Sequence, residues 1–343
     1  RRACSRLCRV LRWLSVFGAV GACAEAAPAP AGSEAVRAPL AHISFSSSRG
    51  PHTLRIEDRL PLFDRVGFSS PSAILYDEQR DLYWVSNLNL DGLPGTGFIS
   101  RLQPSAALST LNFIDGQRPG ITLQAPHGLA VAGPSLFVAD VTAIRKFNAN
   151  TGAPEGSIEI PGARYLSDVA AGKDGSLFVT DVGSDPNLAP PASGSADAVY
   201  HISPSGEVTA IARRRDLGGP FAILSDERGL WITCTATSDL LLLVPNPDGT
   251  PSPDAGRLRL PGSAPRGIAS MPDGTLLISS WGDRAVYRGF RDGPFQPVIS
   301  GLEAPADLDY DTRRKRLLIP LLTGHAVAIF DLPPLPERAR PVH

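Results

Sequence analysis

The stretch "PHGLAVAGPSLFVAD" at residues 126–140 contains an apolar run, a short polar turn and a second apolar run. This pattern is typical of two short antiparallel strands joined by a tight turn. It returns five more times along the chain, at intervals of about 40 to 55 residues. The other copies are "PSAILYDEQRDLYWVSN" (71–87), "SDVAAGKDGSLFVTD" (167–181), "PFAILSDERGLWITC" (220–234), "PRGIASMPDGTLLISS" (265–280) and "PADLDYDTRRKRLLIP" (305–320).

A repeat of this length is typical of β-propeller blades and not of helical solenoids. Each unit has room for four short strands, and the third unit contains them as "DVAAG", "SLFVTD", "AVYHISP" and "VTAIARR". Such a sheet has two apolar faces, so it must pack against neighbouring sheets around an axis. We therefore predict an all-β chain that folds as a six-bladed β-propeller of four-stranded antiparallel blades.

The two ends of the repeat region indicate how the ring closes. The last unit ends with "AVAIFDL" at residues 326–332, its third strand, and supplies no fourth. The segment "HTLRIEDRL" at residues 52–60 has strand character and belongs to no unit. Because a closed ring protects strand edges, we expect this N-terminal strand to supply the missing outer strand of the last blade.

Composition limits the classes of partner. The 343 residues include 33 glycines and 33 prolines, which favours tight turns over long helices. The net charge of −1 predicts no electrostatic attraction to nucleic acid or to an anionic membrane.

Of the four cysteines, only Cys234 lies within the repeats. It stands in the apolar run "LWITCTA", where we expect a buried, unreactive thiol.

The first residues have the pattern of an export signal. Five arginines precede the apolar run "WLSVFGAVGA" at residues 13–22, which is shorter than the roughly 20 residues that span a bilayer. Residues 27–50 show no apolar periodicity and resemble a flexible tether. The predicted divisions are a signal peptide at 1–26, a flexible linker at 27–50, the propeller at 51–333 and a C-terminal tail at 334–343.

Two kinds of signal cleavage remain open. "VGAC" at residues 20–23 matches a lipobox, in which Cys23 would carry a lipid, whereas residues 24–26 are small enough for an ordinary signal peptidase. We expect an exported protein that is either periplasmic or a lipoprotein, with Cys23 as its only membrane anchor.

The insert "GSDPNLAPPASGSAD" at residues 183–197 interrupts one blade, as a surface loop or as a lid over the channel.

Candidate site residues lie where each repeat begins, because the innermost strands and the loops that lead into them surround a propeller's axial channel. Two other groups of residues have simpler interpretations. Asp140 and Asp181 end equivalent strands, which favours a structural role, and three tryptophans at second strands favour packing between blades. The candidate residues are Ser72, His127, Ser167, Asp168, Phe221, Arg266 and Asp307, and the tryptophans are Trp84, Trp231 and Trp281.

Four phrases follow one another along the repeats: "SPSAILYDEQRDLYWVSN", "APHGLAVAGPSLFVAD", "LSDVAAGKDGSLFVTD" and "PADLDYD". In this order they resemble the senescence-marker-protein/gluconolactonase/luciferin-regenerating-enzyme superfamily. They are especially similar to its bacterial exported branch, and the resemblance extends over residues 67–332. It implies a six-bladed propeller whose enzymatic members hold a divalent cation in the channel and hydrolyse lactones or related esters. In those members a glutamate begins the first blade, and asparagine and aspartate from later blades complete the ligands.

This sequence departs from that ligand pattern. Ser72 stands where the resemblance implies the glutamate, and Ser167 and Phe221 each replace an asparagine. Arg266 adds a positive charge where a carboxylate would help to hold a metal. Asp168 and Asp307 remain as carboxylates, which with the Ser72 and Ser167 hydroxyls would bind calcium or a similar cation weakly. The resemblance therefore implies a weakened metal site.

Two chemical interpretations of His127 follow. It acts as a general base that Asp168 or Asp307 orients, or it forms hydrogen bonds that join blades inside the channel. We favour a ligand-binding module, whose partner is a small molecule or an envelope protein and in which Ser72, Ser167, Phe221 and Arg266 contact the ligand. The alternative is a metal-dependent lactonase or ester hydrolase.

Overall fold

The computed structural model describes residues 53–61, 63, 66–93, 95–105, 109–183, 197–246 and 253–334. Two short 3-10 helices lie at Ile56–Asp58 and Arg215–Leu217, and the rest of the regular structure is β. The strands are β1 (Leu54–Arg55), β2 (Pro71–Asp77), β3 (Leu82–Asn87), β4 (Phe98–Leu102), β5 (Ser109–Asp115), β6 (Pro126–Ala132), β7 (Ser135–Asp140), β8 (Ala143–Asn148), β9 (Pro154–Glu159), β10 (Leu166–Ala171), β11 (Leu177–Asp181), β12 (Ala198–Ile202), β13 (Val208–Arg213), β14 (Pro220–Asp226), β15 (Gly229–Cys234), β16 (Asp239–Leu243), β17 (Asp254–Arg259), β18 (Pro265–Ser270), β19 (Thr275–Ser280), β20 (Ala285–Phe290), β21 (Phe295–Ser300), β22 (Asp309–Asp311), β23 (Arg316–Leu321) and β24 (Ala326–Asp331).

These strands form six sheets with one repeated architecture. Strands β2–β5, β6–β9, β10–β13, β14–β17 and β18–β21 form five antiparallel meanders in chain order, and β22–β24 form the sixth blade. The innermost strands of consecutive blades contact one another around the axis, and β22 contacts β2. The predicted six-bladed propeller is confirmed, with three strands of its own in the last blade.

The core lies between neighbouring blades. Trp84 of the first blade packs in one cluster with Leu136 and Val138 of the second, and all three side chains are fully buried. The central strands are therefore buried on both faces, which explains why the second apolar run of each repeat does not alternate with polar residues. Burying each large aliphatic side chain contributes about 1.5–3 kcal/mol.

Two glycines allow the innermost strands to approach closely. Gly128 follows His127, and a Cβ added to it would lie 2.5 Å from the Cα atom of Asp168 on the next blade. Gly267 follows Arg266, and its added Cβ would lie 2.7 Å from the Cα atom of Asp307. Real Cβ atoms essentially never come this close to backbone, so glycine is required where these strands pass.

The ring closes near the N terminus, but not by the predicted pairing. Strand β1 pairs in parallel with β21 of the fifth blade, through Leu54 with Ile299. Leu60 pairs with the sixth blade, where its N–H donates to the carbonyl of Ile329 at 2.7 Å, and Phe63 packs against the same blade. The 3-10 turn between them accounts for the change of partner, because it ends β1 after two residues. The N-terminal segment thus joins two blades instead of completing one.

Several predicted segments lie outside the described residues. These are the signal peptide with Cys23, the linker, the tail after residue 334 and residues 184–196 of the insert. Neither of the helices in the described part of the chain has the length and apolar character needed to cross a bilayer.

Candidate functional site

The candidate residues are positioned by irregularities at the start of the inner strands. In β2, β6, β10, β14 and β18 the pairing with the next strand shifts register directly after the first residue. Such β-bulges turn a side chain away from its regular direction and are common beside functional sites. Four of these strands begin with proline, which is tolerated at a first strand position. The residues inside the shifts include Ser72, His127, Ser167, Phe221 and Arg266.

A hydrogen-bonded chain crosses three blades at this end of the channel. The Ser72 Oγ atom lies 2.8 Å from His127 Nδ1, and His127 Nε2 lies 2.6 Å from the hydroxyl oxygen of Tyr165. All three side chains are buried. Within the described residues the hydrogen-bond partners of the imidazole are therefore two hydroxyls, and neither Asp168 nor Asp307 is among them. Its contacts instead match the interpretation in which His127 joins neighbouring blades.

His127 is held in its neutral form. Burial, and then the positive charge of Arg266, lower the pKa of the His127 imidazole to about 3. A neutral ring has one N–H, so it donates to one hydroxyl and accepts from the other. The three hydrogen-bonded side chains therefore carry no net charge near neutral pH.

The Arg266 guanidinium lies over two aromatic rings near His127. The central carbon of its guanidinium is 4.2 Å from the ring centroid of Phe221 and 4.7 Å from that of Trp281. The Phe221 ring also contacts His127 edge to face, at 6.5 Å between centroids. We call Ser72, His127, Tyr165, Phe221 and Arg266 the mouth layer, because their contacts extend across the start of the inner strands.

Trp281 and Tyr165 were missed as site residues by sequence reasoning. Trp281 was assigned to packing between blades, yet it is half-buried and stacks on Arg266. Tyr165 directly precedes β10. The signal that distinguishes it is an aromatic residue before the inner strand, at a position where the second repeat has the small residue Ala125.

An axial cavity of about 240 Å³ lies along the inner strands, and three carboxyl groups line it with aliphatic side chains. The Ile223 N–H donates to Asp168 Oδ2 at 2.8 Å, and the Tyr76 N–H donates to Asp309 Oδ2 at 2.7 Å. Each bond joins the inner strands of adjacent blades. Asp309 was not singled out from the sequence.

These carboxyl groups hold protons more tightly than exposed aspartates do. Burial raises the pKa of Asp168 to about 7 and that of Asp309 to about 6. Burial and then the charge of Asp168 raise the pKa of Asp307 well above its usual range. The cavity is thus a place where ionised carboxylates are disfavoured.

The donors predicted for a cation do not converge on one point. The Ser72 hydroxyl lies against His127, while the Ser167 Oγ atom is 3.0 Å from Thr180 Oγ1 and 3.1 Å from the carbonyl oxygen of Pro220. Within the described ranges, no three His, Cys, Asp or Glu side chains are arranged to hold a metal ion. The residues present therefore do not fit the divalent cation that the family resemblance implies.

The aspartates that end second strands have the structural role expected of them. Asp140 Oδ1 accepts from the N–H groups of Gln124 and Ala125, at 2.8 and 2.7 Å. Asp181 accepts in the same way from the N–H groups before β10, including that of Tyr165 at 3.0 Å. These bonds fix the turns that lead into β6 and β10, and so they position the mouth layer.

Cys234 is fully buried, and burial raises the pKa of its thiol to about 12. Its one hydrogen bond within the described residues is donated to the carbonyl oxygen of Ile232, at 3.9 Å. The prediction of a buried, unreactive thiol is consistent with this environment, because the thiolate form is the reactive one.

Comparison with known proteins identifies the fold. No protein-family model and no curated protein matches the chain. A gluconolactonase of Xanthomonas campestris superposes with a TM-score of 0.61 at 19% identity, covering 82% of this chain and 95% of its own. A virginiamycin B lyase of Staphylococcus aureus, solved with quinupristin, gives 0.53 at 15% identity, covering 79% and 96%. An auxiliary nutrient-binding protein of Bacteroides thetaiotaomicron gives 0.57 at 9% identity, covering 77% and 69%. The chain therefore has the six-bladed, gluconolactonase-like propeller fold.

Proposed function

We propose that this chain is a ligand-binding propeller whose site works without a bound metal ion. The observation that carries the proposal is the position of Arg266. Its guanidinium brings a fixed positive charge into the mouth layer, stacked on Phe221 and Trp281. A site built in this way attracts an anionic group with its own side chain and has no need of a cation.

The state of His127 supports binding over catalysis. A general base is most effective when its pKa lies near the working pH, whereas the pKa of His127 is lowered to about 3. Taking a proton from Ser72 or from water would create an imidazolium beside the positive charge of Arg266. This imidazolium is disfavoured by the same burial and charge that keep the ring neutral.

One observation favours a second candidate function. The 2.8 Å contact between Ser72 Oγ and His127 Nδ1 has the geometry of a nucleophile and its base. An ester or lactone hydrolase is therefore the alternative, and the similarity in fold to a gluconolactonase is consistent with it. Fold alone does not decide between the two.

The cellular setting is also a proposal. The arginine-rich start and the apolar run at residues 13–22 support export to the periplasm, either as a soluble protein or through a lipid on Cys23. A small molecule or an envelope protein would then be the partner. Localisation of the full chain in cell fractions, with Cys23→Ala as the comparison, tests this proposal.

The decisive experiment measures binding and turnover of the full chain in parallel. Tryptophan emission is followed during titration with small organic acids, amines and alcohols in the presence of EDTA, because a ligand in the mouth layer changes the surroundings of Trp281. Saturable binding by one of these classes supports the proposal. Hydrolysis of gluconolactone that requires calcium, manganese or zinc and is lost in Asp168→Asn would overturn it, as would saturable calcium binding that is lost in Asp168→Ala.

A further inference from the structure

We propose that the axial cavity is a second binding site, which takes a primary ammonium ion with a short alkyl chain from the face opposite the mouth layer. The site is separate from the mouth layer and goes beyond the proposed function. Four features point to it: the size of the cavity, the end at which it opens, the charge of its wall, and the apolar surface beside that charge.

The cavity has room for a small organic molecule, and every blade contributes to its wall. Its volume is about 240 Å³, and residues of all six blades line it. A cavity of roughly 150 Å³ already admits benzene. At the mouth layer, His127 and Phe221 are buried. At the opposite end of the inner strands Ser270 is exposed, and Val131 and Ala171 are partly exposed. A ligand therefore enters from the end that lies away from the mouth layer.

Two carboxyl groups occupy equivalent positions on opposite sides of the ring. Asp168 belongs to the third blade and Asp307 to the sixth, and both line the cavity. Each carboxyl group fits beside a glycine of the preceding blade. A Cβ added to Gly128 would collide with Asp168 Oδ1, and one added to Gly267 would lie 2.8 Å from Asp307 Oδ1. The close approach of these strands therefore makes space for both carboxyl groups.

The bonds that hold these carboxyl groups leave part of their acceptor capacity unused. Each group accepts from two backbone N–H groups, one of the next residue in the chain and one of a neighbouring blade. The donors are Val169 and Ile223 for Asp168, and Leu308 and Ile268 for Asp307. A carboxylate has about four lone-pair sites. An ammonium ion, which has donors and no acceptor, complements the sites that remain.

No positive side chain balances the carboxyl groups on the cavity wall. Of the described residues that line it, the titratable ones are Asp168, Asp307 and Asp309. Burial raises the pKa of all three, because a buried carboxylate without a counter-charge is costly. A bound ammonium ion supplies this counter-charge and stabilises the ionised form. The charge of Asp168 also raises the pKa of Asp307, so one positive charge suits the wall better than two.

Aliphatic side chains surround the carboxyl groups and favour an organic cation over a metal ion. Ile74, Leu129 and Leu224 are among those that line the cavity, and burial of an alkyl chain against them is favourable. A calcium ion requires roughly six to eight oxygen ligands. In the part of the chain that the structure describes, no three acidic side chains are arranged to hold a metal ion.

Isothermal calorimetry with n-butylammonium chloride tests the proposal on the full chain, in EDTA and at constant ionic strength. The comparison probes are butan-1-ol, which lacks the charge; ammonium, which lacks the chain; and butyrate, which reverses the charge. Calcium is titrated separately without EDTA. We expect saturable binding of butylammonium at one site, at least about tenfold tighter than that of each comparison probe, because charged hydrogen bonds are the strong ones.

Variants locate the ammonium ion and the entrance. Asp307→Asn keeps the size of the side chain and should weaken butylammonium about tenfold or more without changing butan-1-ol. The matched control is Asp91→Asn, the same change at a side chain that is 80% exposed, and it should change neither. Ser270→Arg places a positive charge at the open end and should weaken butylammonium several-fold, whereas the uncharged Ser270→Gln should not.

Circular dichroism establishes that each variant is folded, and the exposed position of Ser270 keeps a test available if Asp307→Asn does not fold. The inference is wrong if butan-1-ol, ammonium or butyrate binds as tightly as butylammonium, or if folded Asp307→Asn or Ser270→Arg binds butylammonium normally. It is also wrong, while the proposed function stands, if butylammonium does not bind and an organic acid still binds at the mouth layer. Saturable calcium binding that is lost in Asp307→Asn would overturn both.

Discussion

Replacing His127 by phenylalanine tests whether the mouth layer contains a neutral, buried imidazole. The new ring can keep the edge-to-face contacts with Tyr165 and Phe221, but both ring nitrogens are lost. The hydroxyls of Ser72 and Tyr165 then lose the partners that lie 2.8 and 2.6 Å away. Each loss costs about 1–3 kcal/mol, offset in part by the apolar ring, so we expect the variant to be roughly 2–4 kcal/mol less stable near neutral pH.

The pH dependence of this difference is the sharper test. The unfolded chain has a histidine pKa of about 6.5, and the folded chain has about 3 at His127. The stability that a lowered pKa contributes is fully present above about 6.5 and is lost as the pH falls toward 3. At about pH 5 the unfolded chain has bound a proton that the folded chain lacks, which removes about 2 kcal/mol from the wild type alone. The advantage of the wild type should therefore shrink by that amount.

Urea unfolding, followed by tryptophan emission at several pH values between about 5 and 8, measures this difference. Subtracting the two free energies of unfolding cancels the titration of the cavity aspartates, which both proteins share. Ser72→Ala is the matched variant, because it loses one hydrogen bond but keeps the imidazole, and its deficit should change much less with pH. A deficit of His127→Phe that stays constant, or grows as the pH falls, would falsify the neutral assignment.

Three further predictions concern other residues. Asp168→Asn should be less stable than the wild type at low pH and should approach it as the pH rises. The raised pKa of Asp168 gives the wild type stability that is present below about 4 and is lost through about 7. Urea midpoints on both sides of that range measure the difference between the two proteins, and a difference that is equal throughout contradicts the prediction. Gly128→Ala should destabilise the chain by about 1–3 kcal/mol or more, since its Cβ would lie 2.5 Å from the Cα atom of Asp168. The same change at Gly256, whose added Cβ meets nothing closer than 3.8 Å, should cost much less in the same unfolding assay. Iodoacetamide should leave Cys234 unmodified in the native protein and alkylate it in urea, as read by mass spectrometry of its peptide; rapid native labelling would show that this thiol is accessible.

The repeat was sufficient to predict the blades because each blade is built from local hairpins. The two apolar runs around "AGPS" in the second blade pair as β6 and β7, with Ala132 opposite Ser135. Such contacts are close in sequence, so their signals lie side by side in the chain. The proline that begins four of the inner strands marks the start of those four repeats in the same way.

The N-terminal pairing was predicted only in part, because strand character does not specify a partner: Leu60 bridges to the last blade as expected, whereas β1 does not. Residues 54–55 have the apolar and extended pattern of a strand, but their neighbour in the sheet is Ile299 with Ser300, in the fifth blade. Long-range pairing depends on where the three-residue helix at Ile56–Asp58 turns the chain. Nothing in the local sequence fixes that direction.

The candidate site was predicted in position more than in chemistry. Looking at the start of each inner strand identified Ser72, His127, Phe221 and Arg266, which form most of the mouth layer. The same rule grouped Asp168 and Asp307 with them, although those carboxyls line the axial cavity. For Asp168 the difference arises from the β-bulge at the start of β10, which changes the direction of a side chain within one or two residues and leaves no mark in the apolar pattern.

The bond between Leu60 and Ile329 has a consequence for how the protein is made. The first blade can form its sheet soon after its strands leave the ribosome, but its cluster with Phe63, Leu318 and Ile329 needs the last blade. Until β24 has been synthesised, that apolar surface has no cover. Chains interrupted before β24 should therefore be substrates for chaperones and proteases, and not stable five-bladed proteins.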